Sequence, residues 1–213
     1  MKKSATIKYF LIAVFVLPVI AYMLISWYEN KLQKLPVLGK PEQVNGKSID
    51  HTIAAFSFTD QDGNRYNKSF WKNKIVVADF FFTHCPTICP KMTNSLKQLR
   101  AAYKNDETVL INSFTVDPEN DQPEVLKNYA DKFNLDQQGW KLLTGDKKEI
   151  YKLARNSFFI TATDGDGGPG DFIHSQYLVL VDTQGRIRGY YDGTNDTETS
   201  QLIQDIKKLK HEN

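Results

Sequence analysis

The chain opens with its longest apolar run. Residues 9–28, YFLIAVFVLPVIAYMLISWY, carry no charge, and about 20 such residues are enough for a helix to cross a bilayer. Tyr9, Trp27 and Tyr28 stand at its ends, where amphipathic rings favour the headgroup zone. Pro18 lies mid-run, a position membrane helices tolerate better than soluble ones. A cleaved signal peptide has an apolar region of about 7 to 15 residues that ends in small residues; this run ends in SWYEN. The pattern predicts an uncleaved transmembrane anchor over 9–28 behind a cytoplasmic tail, 1–8. Lysines flank the run on both sides. The short basic tail tips the positive-inside rule toward a domain on the extracytoplasmic side.

After the run the pattern changes twice. Residues 29–50 are polar and punctuated by Pro36, Gly39, Pro41 and Gly46, as in a tether. From 51 to 213 short apolar segments alternate with helical ones. AFSFTDQDGNRYN alternates about Asp62-Gly63 and predicts a hairpin. KIVVADFFFT, 74–83, is the continuous run of a central strand covered on both faces. Met92, Leu96, Leu99 and Tyr103 recur at helical spacing. Further strands are predicted over 108–117 and 140–145, and helices over 123–134 and 146–158. A last hairpin, 176–193, turns at Gln184-Gly185, and an amphipathic helix ends the chain. TATDGDGGPGDF, 161–172, has the composition of a loop. Strands alternating with helices predict an α/β domain with a partly parallel sheet. A strand that feeds a cysteine pair at a helix start, with a terminal hairpin and helix, is the thioredoxin-like arrangement.

Composition changes this picture little. Hydrophobic residues make up 41% of the chain, enough for a packed core, and 27 basic residues against 25 acidic give a net charge of +2. With no basic stripe interleaved with aromatics, nucleic acid is not an expected partner. Two cysteines are too few for a disulfide scaffold.

Those two cysteines carry the candidate chemistry. Cys85 and Cys89 stand in FFFTHCPTICP, each followed by proline. Pro90, which lacks an N–H, suits the first turn of a helix, and helix N-terminal amides stabilise thiolates. The three-residue spacer differs from the two-residue spacer of an ordinary thioredoxin. A structural disulfide, a redox dithiol and half of a metal site are all open on these residues alone. Two thiolates and an imidazole would suit copper and could also take zinc. Of the four histidines, His51 and His211 read as solvated, and His84 as pointing away from Cys85. His174, after the glycine-rich loop, is the candidate third ligand, although a lone histidine is more often structural.

Together, FFFTHCPTICP, FTVDPENDQPEVLKNYA (114–130) and DFIHSQYLVLVDTQGRIRGYYDG (171–193) resemble the Sco/SenC family, membrane-anchored thioredoxin-like proteins of cytochrome oxidase assembly. The resemblance covers about 55–207 and the anchor. It implies copper binding by Cys85, Cys89 and His174, as Cu(I), or as Cu(II) with a further ligand. It also implies delivery of copper to the CuA centre of cytochrome c oxidase, or maintenance of that centre's thiols. The partner would be the oxidase's copper-bearing subunit or another copper carrier, met on the periplasmic side. Asp117, in VDPEND, matches a family aspartate near the site, and capping the turn into Pro118 is its alternative role. The chain departs from the family at Phe81, often small or threonine, and at Thr87, often acidic; neither change removes a ligand. A metal-free thiol-disulfide oxidoreductase and a copper or redox sensor are the rival functions.

Overall fold

The protein is described here from a computed structural model that covers residues 2–32, 34–44, 46–135, 138–160 and 175–212. Helix α1 runs Lys2–Leu32 with Pro18 inside it. It therefore takes in residues on both sides of the expected 9–28 span. Among the described residues no helix is long and apolar enough to cross a membrane; the side chains of the run's first three residues, 9–11, lie outside them.

The segment expected to be a plain tether carries structure. Strands β1 (Glu42–Val44) and β2 (Lys47–Ile49) pair antiparallel. Before them, Leu38 bridges to Ile187, and Arg188 donates to the carbonyls of Leu35 and Pro36. Part of this segment is thus hydrogen-bonded to the domain that follows.

That domain is a mixed α/β, thioredoxin-like fold. A hairpin of β3 (Ser57–Asp60) and β4 (Arg65–Asn67) turns through Gly63 at a φ of 80°, a conformation glycine adopts freely. A 3-10 turn, Lys68–Trp71, leads to β5 (Ile75–Phe81), buried at every position. Helix α2 (Ile88–Ala102), β6 (Val109–Thr115), α3 (Pro123–Phe133) and β7 (Trp140–Thr144) follow. Helix α4 (Lys147–Lys152), capped by Asp146, passes into a π-helical turn, Leu153–Ser157. The hairpin β8 (Tyr177–Val181) and β9 (Ile187–Asp192) and helix α5 (Asp196–Glu212) complete it.

The seven strands lie in the order β4-β3-β7-β6-β5-β8-β9. β5, β6 and β7 are parallel, and β8 runs antiparallel to β5. The two-residue period of β5 explains why both faces are apolar. Ile75, Val77 and Phe81 join a core with α2, α3 and α5, whereas Val76, Ala78 and Phe80 join a second core with α4 and the first hairpin. The carboxyl ends of β5 and β6 and the start of β8 therefore share one end of the sheet. The β8–β9 turn and the end of α5 occupy the other.

Candidate metal centre

β5 ends at Phe81, and the chain turns at once. The N–H of Cys85 donates to the carbonyl of Phe82 at 3.3 Å, which closes the turn with Thr83 and His84 at its centre. α2 begins at Ile88, so Cys89 and Pro90 both lie in its first turn. The N–H of Cys89 points back at Cys85 Sγ, 3.4 Å away. The two sulfurs are not joined by a disulfide here; Cys85 is half-buried and Cys89 is buried. The i, i+4 spacing thus brings the two cysteines together at the mouth of the helix.

Their surroundings separate them chemically. Burial acts to raise the Cys85 pKa, but the backbone N–H groups of Cys89, Thr87 and Ile88 outweigh it and hold the thiol below its ordinary value. Cys89 is pushed up to about 12 by burial first, and then by the Cys85 sulfur and the charge of Asp79, against an opposing bond from the Phe82 backbone. The pair is an accessible, thiolate-prone sulfur in front of a buried, protonated one.

Two buried carboxylates lie behind them. Asp79 shares the β5 face of Val77 and Phe81, and its register partner on β6 is Ser113. The Ser113 hydroxyl donates to Asp79 at 2.5 Å and accepts from Trp140 Nε1 at 2.9 Å. Burial still pushes Asp79 up to about 7. Asp121 is fully buried. It accepts from the Thr83 N–H at 3.0 Å, the Thr83 hydroxyl at 2.5 Å and the Thr115 hydroxyl at 2.5 Å. Sequence reasoning passed over both. Asp79 does leave a signal, as the one charged residue inside an apolar strand.

Asp117, the aspartate that was singled out, is half-buried and takes part in the turn itself. Its carboxylate accepts from Asn120 Nδ2 at 3.0 Å, and its N–H donates to the Thr115 hydroxyl. His84 is exposed in the turn, with Nδ1 3.1 Å from the Thr83 hydroxyl. His51 departs from expectation: it is buried, its Nε2 donates to the Ser157 carbonyl at 2.8 Å, and its ring lies 4.6 Å from that of Phe159. His174 and the loop 161–172 lie outside the described residues. Ser175, which follows His174, enters β8 at the cysteine end of the sheet. Among the described residues no group of three or more His, Cys, Asp or Glu side chains could hold a metal ion.

Two cavities lie among the described residues away from the thiols. One of about 590 Å³ is lined by His51, Phe58 and Ser157, and one of about 890 Å³ by Tyr66, Phe70 and Lys141. Neither cavity is lined by Cys85 or Cys89.

The sequence pattern of the SCO1/SenC family matches residues 44–211. The chain belongs to the SCO1/SenC family. It is 35% identical over 161 residues to the SCO1 protein homolog of Bacillus subtilis (strain 168), a match spanning 75% of this chain and 83% of that one. BsSco, a member of the Sco family of cytochrome c oxidase assembly proteins with a disulfide switch, superposes at a TM-score of 0.64 and 32% identity, over 80% of this chain and 98% of that one. Copper-bound ScoI of Bradyrhizobium japonicum superposes at a TM-score of 0.58 and 28% identity, over 72% and 98%. Sco proteins have thus been solved with copper bound, on the fold that this Sco chain adopts.

Proposed function

We propose that the chain is a copper-binding metallochaperone of cytochrome c oxidase assembly, with Cys85, Cys89 and His174 as its metal ligands. The observation that carries this reading is the convergence of Cys85 and Cys89 at the first turn of α2, with a backbone N–H of the pair 3.4 Å from a sulfur. Soft thiolates with one imidazole favour Cu(I). Copper-bound relatives support the metal, and the assembly role of BsSco supports the oxidase's copper-bearing subunit as partner. Both thiols lose their protons on loading, so binding weakens at low pH, and the buried Cys89 contributes most to that dependence. Oxidation of the dithiol to a disulfide removes two electrons and both thiolates, which couples release to an oxidant such as a partner disulfide.

The exposed apolar side chains of α1, including Phe15, Leu17, Met23 and Trp27, support a membrane anchor, with the domain on the extracytoplasmic side. The test is copper content of the full chain in detergent, reduced and loaded, beside His174→Ala and Cys85→Ser. The expected result is one tightly held copper per chain in the wild type and loss in both variants. Equal retention by His174→Ala would remove that residue from the ligand set.

The asymmetry of the two thiols favours a second reading, a thiol-disulfide reductase. The Cys85 thiolate attacks a partner disulfide, forms a mixed disulfide and releases one partner thiolate. Cys89 then loses its proton and attacks the Cys85 sulfur, releasing the second thiolate, so two electrons pass to the partner. This reading predicts that His174→Ala leaves reduction of a model disulfide intact.

A further inference from the structure

We propose that Asp121 is the positioning residue of the dithiol, fixing the Phe82–Cys85 turn through its bonds to the Thr83 N–H and hydroxyl. The inference rests on the dithiol being the functional centre, and it assigns control of that centre's geometry to a residue 36 positions away from Cys85 in sequence.

Thr83 is the hub of the turn. It lies between Phe82, whose carbonyl receives the Cys85 N–H, and His84, whose Nδ1 meets the Thr83 hydroxyl. The backbone of Phe82 also hydrogen-bonds the Cys89 sulfur. A shift of Thr83 therefore moves Cys85 directly and moves the amide that faces Cys89. Asp121 grips Thr83 at two points, at 3.0 and 2.5 Å. It is anchored in turn on the end of β6 by the Thr115 hydroxyl, and its own N–H donates to the Asp117 carbonyl at 2.8 Å. The carboxylate is fully buried, and its loss leaves the Thr83 N–H and hydroxyl and the Thr115 hydroxyl without the acceptor that fixes them. Partners that orient a ligand-bearing segment in this way commonly change metal affinity by about 10 to 100-fold when lost.

The experiment uses the full chain in detergent with Asp121→Ala, Thr83→Val and Thr83→Ser. Two quantities are read: Cu(I) affinity by competition with a chromogenic chelator, and the equilibrium constant of the Cys85–Cys89 disulfide with glutathione. Thermal melting reports folding. Asp121→Ala is expected to weaken Cu(I) binding by at least about tenfold and to shift the dithiol equilibrium by about fivefold or more. Thr83→Val, which removes only the hydroxyl grip, is expected to shift both in the same direction by less, and Thr83→Ser to restore wild-type values. If Asp121→Ala fails to fold, Thr83→Val against Thr83→Ser decides. Variants that melt earlier but keep wild-type affinity and equilibrium constant would overturn the proposal, because Asp121 would then be structural only. A wild-type chain that holds no copper would overturn the metal reading instead, and the glutathione equilibrium would still decide the role of Asp121.

Discussion

The two ends of the central sheet bury carboxylates by different means. At the thiol end, Asp79 and Asp121 are held by hydroxyl and amide donors, Ser113 for the first, Thr83 and Thr115 for the second. At the far end, Asp182 accepts from the N–H groups of Gln184 and Arg186 on one oxygen, and its other oxygen is paired with two cations, Arg186 at 2.8 Å and Arg188 at 3.0 Å; Arg188 also pairs with Glu212 at 2.6 Å. Arg188 further donates to the carbonyls of Leu35 and Pro36, so this charged cluster ties the segment after α1 to the body of the domain. On the metal-binding role proposed for the thiols, the difference has a chemical reason. A fixed arginine beside two thiolates would compete with a cationic metal for their charge, whereas neutral donors fix geometry and leave the charge to be met by the ion. Far from the site no such conflict arises, and an ion-pair cluster can clamp the chain. The clamp lies at the end of the sheet opposite the cysteines, which points the thiols away from the segment that leads to α1.

This contrast can be broken at several points. The largest effect is expected at Asp79. Its folded-state pKa is raised by burial to about 7 from the ordinary 3.8. Between those values only the unfolded chain ionises. The stability contribution is therefore fully present below the unfolded value, falls as pH rises toward 7 and is lost above it. The whole span is worth up to about 4 kcal/mol. Asp79→Asn should flatten that slope in urea unfolding of the reduced, metal-free protein at pH 5 and pH 8. A slope equal to wild type would show that Asp79 does not titrate in the folded state as its burial requires.

Arg188→Met comes next. It leaves Asp182 and Glu212 short of a cation and frees the Leu35 and Pro36 carbonyls, at an expected cost of about 3 kcal/mol, read from urea midpoints. The dithiol equilibrium with glutathione should stay at the wild-type value, since the clamp is at the other end; movement of both would mean the ends are coupled. The smallest effect is expected for Asp117→Ala. The half-exposed carboxylate bonds only Asn120 among the described residues, so stability should change by less than about 1 kcal/mol. A larger loss would make Asp117 part of the rigid frame with Asp121.

How far these features could be read beforehand follows from their range in sequence. β5 was legible because seven successive buried positions leave an unbroken apolar run, and the cysteine turn because two prolines and a helix start bracket it. The first hairpin and the β8–β9 turn were legible from Asp62-Gly63 and Gln184-Gly185. Asp121 was not. VDPEND offers three acidic residues within five positions, and only the meeting of the β5 and β6 ends selects the one that faces Thr83. His51 was read as solvated because its partner, Ser157, lies 106 residues on. The docked segment at Leu35–Leu38 escaped for the same reason, since Arg188 reaches it across 153 residues. Local pattern reports which residues are buried and how they repeat; it does not report which distant donor meets a given carboxylate.

The most direct measurement is the copper K-edge X-ray absorption spectrum of the Cu(I)-loaded full chain. The account predicts a three-coordinate ion with two sulfur neighbours and one nitrogen neighbour, the nitrogen disappearing in His174→Ala. A first shell made of nitrogen and oxygen alone, or one that Cys85→Ser leaves unchanged, would contradict it.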